Sequence, residues 1–191
     1  MRLFPLNTPN VLTVLRILLV PVVVVALTEE IAHGDAIAAA VFVLAALTDG
    51  LDGYIARASK SVTTFGKVMD PLADKLLVVA AALALVSLDR VAAWVAMVII
   101  ARELAVSGLR MAAAQQGVVI PASRLGKLKT AVQLAAILAL IAAPDADAVW
   151  VQALVYSMVL VTLVSGADYF LNYRRRIDAI TREEAAAEAV G

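Results

Sequence analysis

An all-α integral membrane protein, with six transmembrane helices and a short interfacial N-terminal segment, is the fold class this sequence predicts. Three observations lead there. Of 191 residues, 63% are hydrophobic, the mean hydropathy is +0.92, and apolar runs alternate with short polar or Pro/Gly-marked breaks. Soluble domains are about 45–50% apolar, whereas each spanning helix takes about 20 residues of a hydrocarbon core about 30 Å thick. The length suits one membrane domain, residues 1–173, with a cytoplasmic tail at 174–191.

Met1 to Thr28 joins a basic start to an apolar run, lacks a clear small-residue cleavage site and leads into further apolar sequence. A retained first helix is expected there rather than a signal peptide. In "NTPN", Asn7 or Thr8 is placed to cap that helix with Pro9 in its first turn, and "MRLFPL" is apolar enough to lie at the interface. The spans are expected at 10–28, 36–57, 70–88, 91–113, 127–143 and 148–172. "TEEIAHGD", "SLDR" and "APDAD" separate them in pairs and share one face of the membrane. The other face receives the N-terminus, the links at 57–70 and 114–127, and the tail. Of the 16 Lys and Arg only Arg90 belongs to the first face, so the second is cytoplasmic by the positive-inside rule. Trp94 and Trp150 follow outer breaks and fit interfacial belt positions. His33 lies in an outer link and is expected in solvent. Alanine-rich "VVAAALALV" suits close helix packing. After Arg176, acidic residues alternate with alanine, a pattern for a solvated helix or a fraying end.

Within this apolar frame, "TDGLDGYIARASKSVTTFGKVMDPLADK" holds four aspartates. Asp49 and Asp52 are three apart, and Asp70 and Asp74 four apart, so each pair shares one helical face and a short link brings the pairs together. A charged side chain at mid-bilayer costs about 2.5–3.5 kcal/mol. Such a cluster needs a cation. With no cysteine in the chain, a disulfide framework and a thiolate site are excluded, and the single histidine is on the far side. An all-oxygen site suits hard Mg²⁺, Mn²⁺ or Ca²⁺ better than Zn²⁺. Gly50, Gly53 and Gly66 leave room for a ligand near the backbone, and Arg57, Lys60, Lys67 and Lys75 add positive charge. Carboxylates for a metal, backbone room and an arginine together describe a phosphate or pyrophosphate site. Simple salt bridging among these charges near the headgroups is the plainer reading, and four acids in one short stretch are more than it requires.

The line Asp49-x-x-Asp52-Gly53-x-x-Ala56-Arg57, eight residues, Gly66-x-x-x-Asp70-x-x-x-Asp74 resembles the complete signature of the CDP-alcohol phosphatidyltransferases. "NTPNVLTVLR", "ARELAVSGLR" and "GKLKTAVQ" are similar to flanking pieces of bacterial members that use sn-glycerol 3-phosphate as acceptor. The resemblance implies six helices around a divalent-metal site, with one or two Mg²⁺ or Mn²⁺ ions, that transfers a phosphatidyl group from CDP-diacylglycerol to an alcohol and releases CMP. It implies that Asp49, Asp52 and Asp70 hold the metal, with Asp74 completing a second metal position or acting as base. Gly53, Arg57 and Thr63 are then placed to contact the CDP-lipid. It also implies a homodimer in the cytoplasmic membrane, with the site and both termini facing the cytoplasm. No nucleic-acid partner is expected.

A phosphorylated acceptor calls for a second basic cluster. Arg102, Arg110, Arg124, Lys127 and Lys129 supply it, arginine gripping phosphate bidentately and lysine adding point charge. Arg124 and Lys129 also suit anchoring to anionic headgroups. Glu103 and Arg110, seven apart, are placed to steady each other. Arg16, inside the first span, is expected to snorkel or to help hold substrate phosphate. Other acceptors leave the same chemistry open, namely phosphatidylglycerol or inositol phosphate. A cation transporter would also keep intramembrane acids, but spread along a pathway or on broken helices in repeated halves.

Overall fold

The computed structural model describes residues 8–59, 64–115 and 124–188, with side chains described at 11–48, 69, 72–73, 75–115 and 125–178. Within them the chain forms α1 (Thr8–Thr28), α2 (Gly34–Ser59), α3 (Thr64–Ser87), α4 (Ala93–Gln115), α5 (Arg124–Ala142) and α6 (Val149–Glu188). The all-α expectation holds. "MRLFPL" and Asn7 lie outside the described residues, while Thr8 and Pro9 open α1 as anticipated. Helix α3 begins six residues before its expected start, and α6 continues without a break through most of the tail.

Among the described residues three helices are long and apolar enough to cross a membrane: Val11–Thr28, Leu125–Ala142 and Val149–Asp178. Within their described residues, helices α2 and α3 contribute shorter apolar stretches, Gly34–Thr48 and Lys75–Ser87. Helix α4 is continuous, but Arg102 and Glu103 break its apolar run. Large apolar side chains cover the outside, among them Leu18, Leu47, Met97, Leu104 and Leu160. Small ones fill the inside: Ala38, Ala45, Ala81, Ala84 and Ala136 are buried. That inversion suits a bundle solvated by lipid, where association rests on close packing rather than on hydrophobic exclusion from water. The "VVAAALALV" segment packs as its composition suggested, with Ala81, Ala82, Ala84 and Leu85 all buried.

Helix α1 packs against α2 and α3, α5 against α2, α3 and α6, and α4 against α3 and α6. One end of this bundle is tied by Arg90. Helix α3 ends in a 6→1 bond from Arg90 N to the Leu85 carbonyl (3.0 Å) and a 5→2 bond from Asp89 N to the Val86 carbonyl (3.1 Å). Asp89, at φ 55°, takes the left-handed position that glycine often fills in this cap. The turn delivers Arg90 to Asp35 at the start of α2 (2.8 Å) and to the Ile141 carbonyl near the end of α5 (3.2 Å). Three links therefore meet at one end, as the pairing of polar breaks required. His33 is exposed there, and Trp94 and Trp150, near the starts of α4 and α6, are about half exposed.

Replacing Arg90 by alanine removes one part-exposed ion pair and one carbonyl bond. The expected loss is about 1 kcal/mol, read as a lower thermal denaturation midpoint in detergent micelles with helical content unchanged.

Candidate active site

Each helix carries one buried stripe, and toward the end opposite Arg90 the stripe changes character. On α1 the buried positions Leu27, Val23 and Val20 continue into Arg16 and Thr13, both fully buried. On α2 Ala38, Phe42 and Ala45 lead to buried Thr48, and Asp49 and Asp52 occupy the next positions of the same three-and-four register. On α3 Leu85, Ala81 and Leu77 lead back to the register of Asp74 and Asp70. On α6 Val151, Val155 and Met158 give way to Thr162, Ser165 and Tyr169.

Depth along the helices matches as well. Asp49 lies ten residues before the end of α2 and Asp74 ten after the start of α3, about 15 Å at 1.5 Å per residue. Asp52 and Asp70 are seven and six residues from those ends. Counted along the backbone, the two pairs are thus about equally far from the α2–α3 link, on two helices that both pack against α1. Arg16 does not snorkel: its side chain is wholly buried in the packed bundle, where a guanidinium requires negative charge nearby. For Gly53 and Arg57 the helical position alone is described, both on α2; Thr63 lies outside the described residues.

The basic cluster assigned to an acceptor is partly assembled. Arg102 donates from Nη2 to Ser165 Oγ (2.6 Å) and from Nη1 to Glu103 Oε1 (3.4 Å). Lys129 is buried and pairs with the same Glu103 oxygen. Lys129 is thus an interior ion-pair member, and the headgroup-anchor reading does not apply to it. Glu103 is committed to Lys129 and Arg102, and the expected pairing with Arg110 is replaced: the Arg110 guanidinium instead stands 5.9 Å from the Tyr169 ring centroid, a cation–π distance. Lys127 and Arg110 are exposed, and the side chain of Arg124, at the start of α5, lies outside the described residues.

Lys75 donates to Ser107 Oγ, and the Ser107 hydroxyl donates to the Glu103 carbonyl (2.5 Å). The residue after Asp74 is thereby joined to the helix bearing Arg102 and Glu103. Sequence reasoning missed Ser165, Thr162, Gln133 and Tyr169, all buried. Their signal was present as polar residues inside otherwise apolar spans. Gly166 also escaped notice: a Cβ there would stand 3.3 Å from Arg102 Cγ, so the missing side chain leaves room for the arginine stem.

This arrangement defines a helical membrane protein with carboxylates on α2 and α3, a buried arginine on α1, and an interior arginine and lysine on α4 and α5. A model of the CDP-alcohol phosphatidyltransferase family matches residues 6–164, and the chain belongs to that family. It is 41% identical to the CDP-diacylglycerol–glycerol-3-phosphate 3-phosphatidyltransferase of Bacillus subtilis (strain 168), with 86% of this chain and 93% of the relative covered. A Rickettsia typhi protein of the same name is 40% identical, covering 86% and 95% respectively. A probable phosphatidylglycerophosphate synthase of Mycobacterium tuberculosis (strain H37Rv) is 41% identical, covering 91% and 85%.

Lys129→Met leaves the Glu103 carboxylate without its closest cation, so stability is expected to fall by about 3–5 kcal/mol. The double replacement Lys129→Met with Glu103→Gln recovers most of that loss, as a thermal double-mutant cycle measures. Additive losses would show that the pair is not coupled.

Proposed function

We propose that this protein transfers the phosphatidyl group of CDP-diacylglycerol to sn-glycerol 3-phosphate, forming phosphatidylglycerophosphate and releasing CMP. The observation that carries the reading is the matched placement of the four aspartates on core-facing registers of α2 and α3. The relatives' names support this acceptor over phosphatidylglycerol or inositol phosphate, and the buried cations of α4 and α5 are suited to a phosphorylated alcohol.

The donor set fits a hard divalent cation: four carboxylates, no cysteine, and the only histidine exposed at the far end of α2. Asp49, Asp52 and Asp70, with Asp74, would hold one or two Mg²⁺ or Mn²⁺ ions, which would supply positive charge against the diphosphate. Gly53 gives the diphosphate access to the α2 backbone, and Arg57 binds it; Thr63 is a further contact on the CDP side. Asp74 accepts the proton of the acceptor hydroxyl as that oxygen bonds to the lipid-bearing phosphorus and the bond to the CMP oxygen breaks. Arg102 holds the acceptor's phosphate, with Arg110, Arg124 and Lys127 at the approach. Positioning and fixed positive charge are the main requirements of phosphoryl transfer, so no covalent nucleophile is needed. The charge asymmetry supports a cytoplasmic site and cytoplasmic termini in a multi-pass membrane protein, and the family resemblance supports a homodimer.

Incubation with CDP-diacylglycerol, Mg²⁺ or Mn²⁺ and a panel of radiolabelled acceptors tests the assignment through product lipid and CMP. Failure of glycerol 3-phosphate to yield product overturns it, and ion flux without CMP release would favour a transporter. Asp74→Asn is expected to lower turnover by at least about 100-fold while CDP-lipid binding is largely kept; near-normal turnover excludes its role as base. Asp49→Asn, by contrast, should raise the half-activating metal concentration and reduce turnover together.

A further inference from the structure

We propose that Glu103 is a positioning residue that fixes Arg102 and Lys129 as a cradle for the acceptor's phosphate, an inference that rests on the acceptor assigned above. Three observations carry it. First, a single carboxylate oxygen, Glu103 Oε1, receives both cations, Arg102 from its own helix and Lys129 from α5. The three side chains are 13%, 7% and 9% exposed for Arg102, Lys129 and Glu103. Among the described side chains one carboxylate thus faces two interior cations, a pairing that suits a further anion.

Second, the surroundings offer donors. Arg102 Nε, Gln133 Nε2, Thr162 Oγ1 and Tyr169 OH are buried and have no hydrogen-bond partner among the described residues. Gln133 lies one turn from Lys129 on α5, and Thr162 and Tyr169 flank Ser165, the Arg102 partner, on α6. Buried polar groups are ordinarily satisfied. A phosphate group presents only acceptor oxygens, or nearly so, and so complements N–H and O–H donors on three helices.

Third, the cluster is built to hold its shape. Arg102 is held at both terminal nitrogens, by Ser165 and Glu103, and its stem lies against Gly166. The Glu103 carbonyl accepts the Ser107 hydroxyl, to which Lys75 of α3 also donates. Glu103 therefore does not touch the acceptor. It keeps two mutually repelling cations at one level, adjacent to the helix that carries Asp74. Organising the cations before the acceptor arrives reduces the ordering that binding would otherwise require.

Steady-state kinetics of the full-length enzyme in mixed micelles tests this. Glu103→Gln is expected to raise KM for glycerol 3-phosphate about tenfold, the worth of one charge-assisted hydrogen bond. KM for CDP-diacylglycerol should stay within about twofold and kcat within about threefold on the same reasoning. Ser165→Ala, which loosens Arg102 without changing charge, should shift the same constant in the same direction by a smaller factor. Inorganic phosphate should raise the thermal midpoint of the unmodified protein and do so less in either variant. A merely structural Glu103 predicts equal changes in both KM values, and that result overturns the proposal, as does an unchanged acceptor KM. If Glu103→Gln does not fold, an unchanged acceptor KM in Ser165→Ala overturns it instead. If the unmodified protein makes no product from glycerol 3-phosphate, the acceptor assignment fails; the phosphate-induced thermal shift then decides the role of Glu103 alone, equal shifts in protein and variants counting against it.

Discussion

A charge removed from water has to be answered by another charge or by several hydrogen bonds, and the whole interior of this bundle is arranged around that requirement. Each buried stripe is apolar toward the Arg90 end. Toward the other end most stripes become polar: Thr13 and Arg16 on α1, Thr48 on α2, Glu103 on α4, Lys129 and Gln133 on α5, Thr162 and Ser165 on α6. The acids of α2 and α3 fall in the same zone by register. The charged groups among these are costly singly inside a bilayer, and Arg102, Glu103 and Lys129 meet that cost as one ion-paired cluster.

The two halves of the bundle have different physical tasks. Around Ala38, Phe42, Ala81, Leu85 and Ile137, small and large apolar side chains pack closely and fix helix positions by dispersion contacts. Arg90, bonded to Asp35 and to the Ile141 carbonyl, fastens that end. The opposite half then need not be the main source of stability. It can hold charged side chains and donors that have no partner among the described residues, features that weaken a fold by themselves but suit an anionic substrate.

Much of this was legible in the sequence. Apolar run length gave six helices with ends mostly within a few residues, because helix geometry and bilayer thickness leave little freedom. That the acids fall on helices α2 and α3, one face for each pair, was legible from spacing, since three and four residues on a helix mean one face. What could not be read was pairing between distant helices. Glu103 finds Lys129, 26 residues on, and Arg102 finds Ser165, 63 residues on, and no local periodicity encodes those distances. Arg110 looked like a partner for Glu103 because helical register places it on a nearby face; packing of α6 put Tyr169 beneath it instead. The early start of α3 was missed because its first turn, "TFGKVM", is too short and mixed to show a helical period.

The depth of the aspartates alters the electrical profile of the membrane around this protein. Only the apolar stretches Gly34–Thr48 and Lys75–Ser87 separate their level from the Arg90 end, about 20 Å of helix. On the acceptor assignment proposed above, a water-soluble anion reaches that level, and the insulating septum through the molecule is then thinner than the roughly 30 Å of surrounding hydrocarbon. The transmembrane voltage therefore falls more steeply across it. An elementary charge crossing the full potential changes energy by about 2.3 kcal/mol per 100 mV, and an anion descending to the acids traverses little of that drop. Transfer at the level of the acids, as proposed above, lets charged reactants work below the membrane surface while remaining nearly at the potential of the compartment from which they enter.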